Sequence, residues 1–106
     1  MTSTKISPQE HLIRCREHLD RFFAAYPNPA LHERAAKALR LAAASEKALA
    51  GKPEALAAGA IYAAANPERI ACGVPGLLNS EFSEFFAVSM GGIRKRAADV
   101  LREISI

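Results

Sequence analysis

The sequence has no tryptophan and only two cysteines, Cys15 and Cys72, which are too far apart to form a CxxC pair. This cysteine usage reads as reduced, buried thiols in a cytoplasmic protein. Val, Ile and Thr are scarce beside a large alanine content, which argues against a sheet and for an all-α fold. There is no long hydrophobic run. The longest nearly apolar stretch, Leu56 to Ala65, is about half of what a bilayer requires. Met1-Thr2-Ser3-Thr4-Lys5 lacks the apolar core of a signal peptide, so a soluble, unsecreted protein is expected. An acidic excess is also missing: the net charge is +3 and the pI about 9.1. That balance argues against an acidic mimic of DNA and permits phosphate-bearing partners. No paired carboxylates, nucleophile–base set or glycine-rich phosphate loop appears. Gly73 and Gly76 match no nucleotide fingerprint. We therefore expect no enzyme, no catalytic residue and no cofactor.

What is present fits one domain spanning all 106 residues, with half of them apolar and a quarter charged. A chain of this length removes roughly two-thirds of its unfolded surface from water, enough for one modest core. Residues 1–6 read as a flexible tail. Ser7-Pro8-Gln9-Glu10 is a capping box with proline at the first helical position. Leu12, Cys15, Leu19, Phe22 with Phe23, and Tyr26 then recur at helical steps, while Arg14, Glu17 and Arg21 face water. Pro27 ends that helix. Asn28-Pro29 caps a second helix expected to run to Ala50, with Gly51 as its stop and Leu31, Ala35, Ala38, Leu39, Ala42 and Leu49 inward. The third helix, about 53–65, has no charge after Glu54 and no polar face. A helix apolar on every side is buried on every side, so it is the expected centre of a five-helix orthogonal bundle. Gly59 within it points to close approach of a neighbouring helix. Residues 67–78 hold two prolines and two glycines and read as a loop.

Residues 79–104 read as a helix-turn-helix: a short helix, a tight turn, then a longer basic helix. Phe82 and Phe86 lie at i, i+4. Ala87 sits where a turn usually has glycine, Val88 plugs the turn into the core, and Ser89 is a natural N-cap. Ile93, Ala97, Val100, Leu101 and Ile104 form the inward stripe. The candidate DNA-binding residues are Ser89, Met90, Gly91, Gly92, Arg94, Lys95 and Arg96, with Arg102 following near the end. Met90-Gly91-Gly92 offers no amide or guanidinium fork for a base edge, whereas glycines let the backbone approach a phosphate. The expected partner is double-stranded DNA, bound mainly through phosphates.

Two stretches also carry a family resemblance. Gly51-Lys52-Pro53-Glu54-Ala55-Leu56-Ala57-Ala58-Gly59-Ala60-Ile61-Tyr62-Ala63-Ala64 resembles the third helix of a cyclin-like repeat in transcription factor IIB. Glu81-Phe82, Phe86-Ala87-Val88-Ser89 and Ile93-Arg94-Lys95-Arg96 are similar to that family's last two helices. The same features resemble an uncharacterised bacterial helix-turn-helix domain, with a like Gly-Lys-Pro-Glu start, Ala-Ala-Gly helix and Val-Ser turn. The resemblance covers roughly residues 29–104 and implies a bacterial or mobile-element transcription regulator. The chain departs from the pattern at Ala87, in place of the turn glycine, and at Gly91-Gly92, in place of polar residues. It also holds one repeat where transcription factor IIB has two. A DNA-binding version would then act as a homodimer or with a protein partner.

Two other readings stand beside this one. His11, Cys15 and His18 share one side of the first helix, and His32 or Cys72 would be the fourth ligand of a zinc site. The plainer account makes Cys15 part of the core with histidines at its border, and no metal is expected. The alternative function is a small interaction module or inhibitor. It would dock on a partner such as a nucleic-acid enzyme through Leu77, Leu78 and Phe85 or the Arg34-Lys37-Arg40 flank.

Overall fold

The computed structural model describes residues 8–44, 51–66 and 73–104. Among them are five helices and no strand: α1 (Pro8–Ala25), α2 (Pro29–Ala42), α3 (Pro53–Ala65), α4 (Asn79–Phe86) and α5 (Met90–Ile104). The chain is all-α, as the alanine-rich composition requires. No described helix is long and apolar enough to cross a membrane.

Helix α3 is the hub. Leu56 to Ala64 are all buried, so every side of it meets protein. It packs most extensively on α5, and also on α2, α1 and α4. Gly59 explains the first of these contacts. A Cβ built there would lie 2.7 Å from Arg96 Cβ and 2.9 Å from the Ala97 backbone nitrogen. Only a residue without a side chain lets α5 come so near. The rest of the core is aliphatic stripes and one aromatic cluster. Phe22 touches Phe23, Tyr26, Phe82, Phe85 and Phe86, with ring centroids 5.0–5.5 Å apart. Edge and stacked ring pairs at such distances add to the burial term, and here they tie α1 to α4.

The helix limits follow their caps. Asn28 Oδ1 accepts from the Leu31 N–H at 3.2 Å, with Pro29 as the first helical residue. Gly51, before α3, takes φ 86°. The expected span of α2 needs correction, for it ends at Ala42 rather than Ala50. The last described turn tightens there: the Ala43 N–H donates to the Leu39 carbonyl at 2.9 Å, whereas the Ala44 N–H reaches back only three residues, to the Leu41 carbonyl at 3.3 Å. Leu49, with residues 45–50, and the N-cap Ser7 lie outside the described residues, as does the tail before it.

The first helix also hides a polar pair. His11 is buried, its Nε2 donates to the Gly51 carbonyl at 2.9 Å, and its Nδ1 lies 3.4 Å from Cys15 Sγ. With Nε2 protonated, Nδ1 of the neutral ring is left to accept from the thiol. Burial pushes the Cys15 thiol up to about 12 from its ordinary 9.0, with Arg96 opposing and Glu54 assisting. The fold therefore favours the protonated thiol. Its stabilisation is complete below pH 9 and is lost as pH rises from 9 to 12, by on the order of 4 kcal/mol in full. Urea unfolding of wild type and Cys15→Ala across pH 8 to 11 checks this. The wild type should lose stability more steeply, and parallel curves would refute it. Among the described residues no cluster of His, Cys, Asp and Glu could hold a metal, and Cys72 lies outside them.

Candidate functional site

The α4–α5 unit is built around a left-handed residue. Ala87 has φ 56°, ψ 39°, the sole positive φ among described non-glycine residues. Around it the Val88 N–H donates to the Ser83 carbonyl at 3.2 Å, and the Ala87 N–H to the Glu84 carbonyl at 3.2 Å. This pair of bonds is a Schellman ending, which closes a helix and reverses the chain. Ser83 Oγ adds a third bond, donating to the Val88 carbonyl at 2.6 Å. Alanine in this conformation carries about 1–2 kcal/mol of strain, so Ala87→Gly should stabilise the protein by roughly 1 kcal/mol after the added flexibility of the unfolded chain. Thermal melts of the two proteins check it, and a lower melting temperature would contradict the geometry.

Helix α5 starts on its expected cap. Ser89 Oγ accepts from the Gly92 N–H at 3.1 Å, and the Ile93 N–H donates to the Ser89 carbonyl at 2.9 Å. Val88 and Met90 pack partly against the core, and Ile93, Ala97, Val100 and Leu101 are buried beneath. The Ile104 side chain lies outside the described residues. The two glycines differ in role. A Cβ on Gly92 would press on Val88 Cγ1 and Ser89 Oγ at 3.3 Å, while a Cβ on Gly91 would come no nearer to anything than 4.0 Å. Packing thus accounts for Gly92 and leaves Gly91 as open backbone at the helix start.

The seven candidate residues divide into two groups. Ser89, Gly91, Arg94 and Lys95 are exposed, with Met90 and Gly92 half-buried beside them. Arg94 and Lys95 make no ion pair among the described residues. Arg96 stands apart from them. Its side chain is 15% exposed, its Cβ abuts Gly59, and its Nη1 donates to Asp99 Oδ2 at 2.8 Å. Asp99 also holds Arg102 through Oδ1. Arg96, a candidate DNA contact from the sequence, is instead held by Asp99, whose spacing three residues from Arg96 and from Arg102 is the signal. The part Ser83 plays in the turn carries no such signal. Glu81 Oε1 accepts from the Leu78 N–H at 3.0 Å, so this carboxylate is engaged at the start of α4.

Away from this unit, Phe22, Tyr26, Leu31, Val74 and Leu77 line an apolar cleft of about 290 Å³. Leu78 is 67% exposed. Arg21 lies over the Phe85 ring, 5.4 Å from its centroid. Comparison with protein-family models, curated proteins and solved structures returned no match to this chain.

Proposed function

We propose that the protein binds double-stranded DNA through a helix-turn-helix formed by α4 and α5, chiefly by contacts to phosphates. The observation that carries this reading is the state of α5's first turns. They present Arg94 and Lys95, exposed and without an acidic partner among the described residues, beside the open backbone of Gly91. Cations flanking a helix N-terminus suit phosphate oxygens, since the free N–H groups and the helix dipole both favour anions. No side chain in Met90-Gly91-Gly92 forks onto a base edge, so sequence selectivity should be modest. Regulation of transcription in a bacterial or mobile-element setting, as a cytoplasmic homodimer, is the role that fits such a binder.

The salt dependence tests it. Each neutralised phosphate contributes about −0.9 to the slope of log K against log [salt]. Two cations per protomer then give about −2 for a monomer and about −4 for a symmetric dimer. A flat titration at low salt with several duplexes would end the proposal. One observation favours the other reading, a module that docks on a protein. Asp99 engages Arg96 and Arg102 and so withdraws two of α5's four cations from any external phosphate. On that reading the exposed Leu78, with Leu77 and Phe85, forms the contact. The same titration separates the two, because an apolar contact gives no counterion-release slope.

A further inference from the structure

We infer that the cleft between α1 and α2 is a binding site for a compact phosphorylated small molecule. The cleft has a volume of about 360 Å³ and is lined by Arg16 of α1 and by His32, Glu33, Lys37 and Arg40 of α2. It shares no residue with α4 and α5, so it stands or falls separately from the DNA-binding reading. Its size lies in the range of small-ligand sites rather than that of a duplex footprint.

The cationic side chains here are not simply a solvated face, because a carboxylate orients two of the groups. Asp20 Oδ1 accepts from Arg16 Nε at 3.0 Å and from His32 Nε2 at 2.8 Å. The His32 ring is further fixed by stacking on Phe23, with centroids 4.6 Å apart and planes 16° from parallel. Holding Arg16 by Nε leaves both terminal amino groups of its planar fork available, the geometry that recognises phosphate in bidentate fashion. Lys37 and Arg40 complete the rim one helical turn apart. Neither is ion-paired among the described residues, even though Glu33 precedes Lys37 by four positions. Three cations thus face two carboxylates, and one of those carboxylates is already engaged as an orienting group. Phosphate, with several acceptor oxygens, matches this set of donors.

Amide NMR spectra of the full chain test the site, with inorganic phosphate, adenosine monophosphate and a short duplex as separate probes. Saturable shifts with phosphate and adenosine monophosphate, centred on Arg16, His32, Lys37 and Arg40, are expected. Lys37→Gln/Arg40→Gln should weaken both by about tenfold or more while its spectrum elsewhere overlays that of the wild type. Asp20→Asn discriminates further. A diffuse positive patch would bind anions more tightly once that charge is removed, whereas an oriented cradle binds several-fold more weakly. No saturable shift, an unchanged double variant, tighter binding by Asp20→Asn, or shifts here with duplex alone would each overturn the proposal.

Discussion

Gly59→Val should lower the stability of the protein by at least about 3 kcal/mol, and Gly59→Ala should destabilise it as well. The sign is what matters in the second case. In a helix interior free of neighbours, alanine in place of glycine gains up to about 1 kcal/mol. At Gly59 the new Cβ would lie 2.7 Å from Arg96 Cβ and 2.9 Å from two backbone atoms of α5. Real Cβ atoms do not approach so closely, and backbone cannot turn away as the tip of a side chain can. Helix α5 must shift, in a core where even one methylene is felt. Overpacking typically costs about 1–3 kcal/mol, so it outweighs the propensity gain for alanine. Valine adds two methyls and a restricted χ1, and it strikes the contact on which α3 and α5 meet most extensively. For a domain near this size, about 3 kcal/mol corresponds to a fall of roughly 12–24 °C in melting temperature. Thermal melts followed by circular dichroism read the effect directly. An unchanged or raised melting temperature for Gly59→Ala would show that α5 does not rest on this glycine.

The same contact explains what could and could not be read from the sequence. Helix α3 was legible as the hub because its residues leave no polar side, and burial from Leu56 to Ala64 follows from that alone. The starts of α2, α3 and α5 were legible in Asn28-Pro29, Pro53 and Ser89, since capping chemistry is local. Ala87 was legible as the turn, and its left-handed conformation accords with glycine being the usual residue there. Two things were not legible. The end of α2 is set by how its last turn closes through the Ala43 and Ala44 N–H groups, whereas alanine propensity alone would carry the helix further. Arg94 and Arg96 are the second case. At about 100° per residue they flank the Ile93–Ala97–Val100–Leu101 stripe almost symmetrically. Periodicity identifies the inward face but not which edge of it meets a neighbour. The missing side chain at Gly59 decides, by drawing the Arg96 edge onto α3 and leaving the Arg94 edge to solvent.

That division of the basic run yields the largest expected functional effect. Arg94→Ala with Lys95→Ala should weaken duplex binding by about 10- to 100-fold near 0.1 M salt and reduce the magnitude of the salt slope by about 1 for each cation removed. Stability should stay within about 0.5 kcal/mol of wild type for each change, because both side chains are exposed and carry no partner among the described residues. Arg96→Ala should do the reverse. It removes the half-buried ion pair to Asp99 and the aliphatic packing over Gly59, so melting temperature falls while the salt slope stays close to wild type. The two variants therefore separate a phosphate contact from a structural cation within a single turn of one helix. Wild-type affinity in the Arg94/Lys95 double variant would remove α5's first turns from the interface. Collapse of its fold would instead make those side chains structural. A lowered salt slope in Arg96→Ala would mean that the Asp99 clamp opens on binding and returns that guanidinium to the phosphates.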